Sequence, residues 1–367
     1  MNYENLHELI NRYEQNLYVV NNDKNDEIFK WKAVRCFQDA WFSPDADSLP
    51  FHELFRRAKK ESSVLVDNSS VSPSNGVVKL AEVAEEEVRH LFCDVLFATD
   101  NGDLSVRQNN MDAFIEGMEK LRQKHFPANW KYQQDRHAAS CYLAMFAPAE
   151  NFIYKYSHVE AFAQHVEFGK DIGSGGSFSL AHYYELANLV VEALREHPEL
   201  IDSHTALLGP EHYRDDSLHL LAFDIIYCAS TYGFFRNLAH KSKAEAIKGY
   251  KEEQRRQAEE AKRQAAIDAL EESILKIEME LDAYRSISLI GIQVYQKKEG
   301  YGIIIRQDVN VIDVQFDSGK KTYIISTKFP MRPTFEDDAE IVAAMTDYEE
   351  KLKELKRLQE QLKKICD

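Results

Sequence analysis

The chain has 367 residues, 44% of them hydrophobic, and a formal net charge of -16, which is enough apolar material for a sizeable core divided into two or three units. So acidic a surface excludes nonspecific nucleic-acid binding by the whole protein and confines any such contact to a local patch. Five scattered cysteines, Cys36, Cys93, Cys141, Cys228 and Cys366, form no Cys-x-x-Cys pair, so neither disulfides nor a structural zinc site is predicted, and no cofactor is expected.

The first ten residues lack a basic stretch followed by an apolar core, so no secretory or transit signal is predicted and the cytoplasm is the expected location. Leu6, Leu9, Ile10, Tyr13 and Leu17 fall on one face of an opening helix. Ile28 to Trp41 forms another, with Phe29, Ala33, Phe37 and Trp41 at helical spacing. Further helices are predicted over 78–97, 110–125, 134–146, 157–168, 179–196 and 216–236. Between them lie a loop at Ser69 to Gly76, a turn at Asp100 to Asp103, stops at Pro127 and Pro148, and a glycine-serine loop at Gly169 to Ser177. Phe152 to Tyr156 reads as extended, either a short strand or a loop capping the next helix. The most apolar window, Leu218 to Phe235, contains His219 and Asp224. It is too short and too polar to span a membrane, which predicts a buried central helix.

Two heptad segments, about 242–285 and 338–366, bracket a run of short strands. Leu270, Ile274, Ile277 and Leu281 recur at spacings of four, three and four, and Ile341, Met345, Tyr348, Leu352, Leu355, Leu362 and Ile365 answer them. This order predicts an antiparallel coiled-coil stalk, or alternatively a pair of helices that dimerise the protein. Lys251 to Gln264 is mostly charged, with Glu252 placed to meet Arg255 or Arg256 and Glu259 to meet Lys262 or Arg263.

Between the helices, Ile292, Val294 and Tyr295 lead to Gly300-Tyr301-Gly302, then to Ile303 to Ile305, Val309 to Phe316 and Thr322 to Ile325. The alternation of Val311, Asp313 and Gln315 with Ile312, Val314 and Phe316 is that of a half-buried strand, and Asp317-Ser318-Gly319 fits a hairpin connection. An SH3-like small barrel is predicted, with a bend or bulge at Gly300 and Gly302. From Ser286 to Pro333 seven cations (Lys297, Lys298, Arg306, Lys320, Lys321, Lys328, Arg332) face four anions, Glu299, Asp308, Asp313 and Asp317. Such a patch can contact phosphates while Tyr295 and Tyr301 stack on bases. The competing reading is that these lysines protect sheet edges from aggregation.

Two stretches resemble known families. Gly291-x-x-Val294, Gly300-Tyr301-Gly302-x-Ile304 and Val314-x-Phe316 are similar to the Tudor or SH3-like module that ends UvrD-type helicases and opens CarD-type transcription regulators. That resemblance covers some forty residues and implies contact with RNA polymerase or nucleic acid. Glu27-Ile28-Phe29-Lys30-Trp31-Lys32-Ala33-Val34, Phe37-Gln38-Asp39 and Trp41, extended by Asn129-Trp130-Lys131 and Ile153-Tyr154-Lys155-Tyr156, resemble the region ahead of the AAA motor in McrB-like restriction proteins. It implies recognition of DNA or a partner in phage defence or genome surveillance. The motor itself is missing: no Gly-x-x-x-x-Gly-Lys-Ser/Thr loop occurs in the chain.

Candidate chemistry is sparse. Gly169-Lys170-Asp171-Ile172-Gly173-Ser174-Gly175-Gly176-Ser177 precedes a helix and can cradle an anion, with Lys170, Gly173, Gly175 and Ser177 as binding residues. It equally fits a flexible loop in which Ser177 or Ser179 caps the helix. Glu87-x-x-His90 and Glu4-x-x-His7 have di-iron spacing without the further carboxylates such a site needs. His137, Ser140 and Cys141 share a helix, with Cys141 on its apolar side. No catalytic or metal site is predicted.

The sequence reading is thus a mainly α chain with a helical globular domain over 1–240, a first stalk helix over 241–285, an SH3-like β-module over 286–333 and a return helix over 334–367. The expected function is non-enzymatic recognition. A protein partner or nucleic acid would meet Tyr295, Lys297, Lys298, Tyr301, Arg306, Lys320, Lys321 and Arg332 of the module, and a homodimer is a further possibility through the coiled coil. The alternative is an enzyme or sensor that binds a small anion at Gly169 to Ser177.

Overall fold

The computed structural model describes residues 1–68, 70–285, 288–308, 311–324, 332–333 and 339–366. The chain separates into two compact units, Met1–Glu252 and Glu253–Asp367. The first is built from helices: α1 (Tyr3–Val20), α2 (Phe29–Trp41), α3 (Phe51–Ala58), α4 (Ser63–Val66), α5 (Pro73–Ala81), α6 (Glu85–His90), α7 (Leu104–His125), α8 (Arg136–Phe146), α9 (Tyr156–His165), α10 (Leu180–Leu194), α11 (Pro198–Thr205) and α12 (His219–Thr231), with the start of α13 (Lys243–Arg285).

Local chemistry starts several of these helices. The side chains of Asn2, Asp103, Asp135 and Ser179 accept hydrogen bonds from the otherwise unpaired amides of Asn5, Ser105, Ala138 and His182 at 3.0, 2.8, 2.8 and 3.3 Å. The expected helix over 78–97 is broken into α5, α6 and a π-helical turn at Leu91–Leu96. α5 begins at Pro73, inside the segment expected as a loop, because proline in the first helical turn gives up no hydrogen bond. α3, α4 and α11, of 8, 4 and 8 residues, were not anticipated. Two turns or fewer carry too little periodicity to stand out. Phe152 to Lys155 forms no strand and leads irregularly into α9.

Phe92, in the π turn, is a hub of the core, with Phe51, Phe55, Phe114 and Tyr142 at ring-centroid distances of 5.5, 5.3, 4.9 and 5.3 Å. α12 is the buried central helix expected from its apolar run, with Leu220 to Ile226, Cys228 and Ala229 all buried. No helix among the described residues is long and apolar enough to cross a membrane. The buried stripe of α2 is turned from the one expected: Lys30, Trp31, Ala33, Val34 and Phe37 are inside, while Phe29 and Trp41 are only partly covered.

In the second unit, β1 (Gln293–Gln296), β2 (Gly300–Gln307), β3 (Val311–Phe316) and β4 (Gly319–Ile324) form an antiparallel meander, and the two-residue β5 (Arg332–Pro333) pairs with the free side of β1. Val294, Ile304, Ile312, Val314 and Phe316 form its core with Leu289. The bulge lies at Ile304 to Arg306 rather than at the two glycines. Gly300 ends the β1–β2 turn at φ +81°, and Gly302 makes room for Phe316, whose Cδ1 would stand 2.5 Å from an added Cβ.

α14 (Ala339–Cys366) runs antiparallel to α13: Lys351 meets Glu280, and Arg263 Nη2 donates to the Cys366 carbonyl at 3.1 Å. Ile277, Leu281 and Leu358 are buried between them, with Leu270, Ile274, Leu352 and Leu355 packed alongside. Leu358 was missing from the expected seam. The side chains of Ile341, Met345 and Tyr348 lie outside the described residues. On the charged stretch of α13 the pairs are Lys248 with Glu252, Arg256 with Glu253 and Arg255 with Glu259, at 3.9, 2.9 and 3.7 Å, not those read from the sequence.

Candidate functional sites

The meander has apolar residues on both faces. Tyr295 and Tyr301 lie directly opposite in the β1–β2 register, with ring centroids 5.1 Å apart. They face away from the core, 42% and 60% exposed, with Ile303 and Ile305 of β2 at 48% and 47%. Strand alternation accounts for Tyr301, Ile303 and Ile305, and the bulge between Ile304 and Arg306 puts Arg306 outside as well.

Three cations of the sheet are matched by carboxylates. Lys320 donates to Asp313 at 3.3 Å, Arg306 donates to Asp308 at 3.3 Å and lies 3.8 Å from Asp313, and Lys321 meets Glu299. The Thr322 hydroxyl, with Lys320 behind it, holds the Asp313 carboxyl below its usual range. Lys297 and Lys298 are exposed in the β1–β2 turn. The side chain of Arg332, and the whole of Lys328, lie outside the described residues. Composition alone made this stretch basic. Pairing occupies Arg306, Lys320 and Lys321, and a phosphate backbone needs cations free to replace its counterions.

The glycine-serine loop closes on itself. Gly173 N donates to Asp171 Oδ1 at 3.0 Å, and Ser174 N donates to Ser177 Oγ at 3.2 Å. Lys170 is paired with Glu185 at 2.5 Å and lies 5.6 Å over the Tyr250 ring. Lys243 bridges Asp171 and Glu160 at 2.8 and 2.9 Å. Gly173 at φ +70° is required, because a Cβ there would stand 2.0 Å from the Ser177 carbonyl. Gly175, at φ +53°, has open space around its Cα. Ser179 caps α10, as the loop-and-cap reading expects. An anion would have to compete with Glu185 for Lys170 and with Asp171 and Ser177 for the amides.

The chain's most concentrated polar chemistry was not singled out from the sequence. Lys30, 1% exposed, projects from the first turn of α2 between Glu27 and Asp224. Its ammonium lies 2.6 Å from Asp224 Oδ1 and meets Glu27 directly. Tyr13 donates to Asp224 Oδ2 at 2.6 Å, Tyr232 donates to Glu27 Oε1 at 2.5 Å, and Cys228 Sγ lies 3.6 Å from Asp224 Oδ1. Tyr227 offers its ring face to Lys30 at 4.4 Å. Burial alone would pull the Lys30 pKa down, and the charges of Asp224 and Glu27 more than reverse this, leaving it above the ordinary lysine value. Burial, with Asp224 next, pushes the Tyr13 phenol up. One oxygen each of Glu27 and Asp224 and the sulfur of Cys228 lie within 4.8 Å of one another, a spacing open to a metal ion. The Lys30 ammonium already supplies the cation. Buried under α1, α2 and α12, the cluster cannot meet a substrate, and it fastens those elements together. Its sequence signal was Asp224, an acid in the most apolar helix of the chain.

The other candidates are equally self-contained. The ring nitrogens of His137 lie 2.8 and 3.0 Å from the carbonyl oxygens of Tyr154 and Leu65, and burial pushes the neighbouring Cys141 thiol well up, so no activated nucleophile results. A wide cleft of ≈ 640 Å³ is lined by Phe97, Phe146, Asp100, Arg107, Asn151 and Tyr184, among others. Its polar groups answer one another: Arg107 holds Asp100 through Nε and Nη2 at 2.5 and 2.9 Å, and Tyr184 donates to Asn151 at 3.0 Å. Comparison with family models, curated proteins and solved structures finds no match for the chain.

Proposed function

We propose that this is a non-enzymatic recognition or adaptor protein whose contact surface is the outward face of the C-terminal sheet. The observation that carries the reading is the strip of Tyr295, Tyr301, Ile303 and Ile305, all 42% or more exposed on a sheet whose other face already supplies the core. Aromatic residues presented in this way are favoured anchors of protein interfaces. The partner is a protein with an apolar patch of matching extent. The pairing of Arg306, Lys320 and Lys321 with Asp308, Asp313 and Glu299 favours this over direct contact with a phosphate backbone.

In this reading α13 and α14 are a coiled-coil stalk, supported by the cluster of Ile277, Leu281 and Leu358, and the meander is an SH3-like barrel. The resemblance of the first unit to the region ahead of McrB-like motors makes a nucleic-acid machine of bacterial phage defence the setting in which to seek the partner. The test compares intact protein with Y301S/I303S and with R306Q/K320Q in affinity purification with and without nuclease, followed by binding measurements on the recovered partner. A partner bound by wild type and R306Q/K320Q but lost from Y301S/I303S supports the proposal. Equal binding by all three overturns it, and binding abolished by nuclease or by R306Q/K320Q alone points to nucleic acid instead.

A further inference from the structure

We infer that a second cleft in the first unit binds a small organic carboxylate, held at its head by Arg195 and Arg214 and along its body by Ile201, Leu208, Leu218 and Leu221. The cleft, of ≈ 340 Å³, lies among α2, the end of α10, α11 and the start of α12, with Trp31 and His204 also in its wall. That volume suits a metabolite rather than a macromolecule.

The two guanidiniums stand out in a chain with 61 acidic and 45 basic residues. Several other exposed arginines are paired, Arg56 with Glu82 and Arg57 with Asp45 at 3.0 and 2.9 Å. Neither Arg195 nor Arg214 has an ion pair or a side-chain hydrogen bond among the described residues. The adjacent carboxylate is committed elsewhere: Asp215 accepts from the amides of Leu220 and Leu221 at 2.8 and 3.1 Å and from Ser217 Oγ at 2.8 Å, closing the N-terminus of α12. Asp216 also lines the cleft and lies beyond ion-pair distance of both arginines. Two planar cations over one cavity match the geometry in which guanidinium groups take carboxylates.

The wall carries two further irregularities. Trp31 Nε1 and His204 Nε2 are buried without a hydrogen-bond partner, although native interiors rarely leave such atoms unpaired. Leu218, the residue before α12, sits at φ +66°, a left-handed conformation that is costly for a bulky side chain and is characteristic of binding sites. In the larger Arg107 cleft the arginine is matched internally by Asp100. Four aliphatic residues in the wall favour a carboxylate with a hydrocarbon body over a phosphate, whose second charge they would have to desolvate.

The experiment follows thermal unfolding and tryptophan fluorescence of the intact chain titrated with butyrate, succinate, benzoate and inorganic phosphate, each against chloride at equal ionic strength. At least one carboxylate is expected to give a saturable rise in Tm beyond chloride. In R195Q/R214Q, whose altered side chains are exposed and unpaired, its affinity is expected to fall roughly tenfold or more. R195K/R214K keeps the charge and is expected to retain part of the affinity, which separates loss of binding from loss of fold. The inference fails if none of the three carboxylates exceeds chloride, if phosphate alone does, or if the shift is unchanged in R195Q/R214Q.

Discussion

The Lys30 ammonium and the Asp224 carboxylate meet at 2.6 Å in the core of the first unit although 194 positions separate them. The contact ties the first turn of α2 to the middle of α12, and Tyr13 adds α1 through the second Asp224 oxygen. Two carboxyl groups, Glu27 and Asp224, converge on one ammonium, and the phenols of Tyr13 and Tyr232 each donate a hydrogen bond to one of them.

Removing the cation alone should therefore cost far more than removing the whole charged set. K30M leaves two buried carboxylates facing each other and is expected to lose about 3–5 kcal/mol of stability. E27Q/K30M/D224N is expected to lose clearly less. Urea midpoints of the two variants decide this, and a triple variant no more stable than K30M contradicts the account.

Acid sensitivity should begin above the carboxylate range. Burial, more than the neighbouring His212 and Lys30, holds His204 at about 4 against the attraction of Asp224, and burial with Lys155 holds His158 at about 4. The unfolded chain takes up these protons first as pH falls from about 6.5, so stability is full above that value and is lost toward pH 4. For the 3% exposed His204 the loss is roughly 2–4 kcal/mol. Denaturation midpoints between pH 7 and 4.5 should fall for wild type and flatten for H204Q.

Gly302 should tolerate no side chain. In G302A the new Cβ meets Phe316 Cδ1 and Val314 Cγ1 at 2.5 and 2.8 Å, which forces two core residues of the sheet aside at a cost of about 1–3 kcal/mol. Amide exchange should accelerate in β2 and β3. G300A, at a position with positive φ and open space, should disturb the β1–β2 turn while sparing Phe316.

The helix pair of the second unit is expected to loosen on its own. L358A removes one of three buried side chains between α13 and α14 and should cost about 2–3 kcal/mol locally. Exchange protection should drop over 270–281 and 352–358 and stay unchanged in α1 to α12. Unaltered protection at 270–281 would mean that Leu358 does not hold the pair together.

The individual elements were readable wherever a period could be counted. The burial of α12, the alternation in β3 and the apolar repeat on α13 follow from side chains that must leave water on one face. The short helices α3, α4 and α11 escaped because their few residues complete too little of that period. The inside of α2 is hidden from the sequence for another reason: Lys30 counts as polar in any periodicity, and its burial depends on Asp224 and Glu27.

The candidate sites divide along the same line. Tyr295, Tyr301, Lys320 and the glycine loop were visible as residue types, and the exposure of the two tyrosines follows from strand alternation. Their surroundings were decided by the tertiary structure. The β3–β4 register sets Lys320 beside Asp313, the fold of the loop gives Lys170 to Glu185, and the packing of α10, α11 and α12 leaves Arg195 and Arg214 unpaired over one cleft. Sequence alone determined which segments bury a face, because that depends on near neighbours along the chain. Which charge meets which was left to the fold, because electrostatic partners are chosen by distance in space and by the water that burial removes.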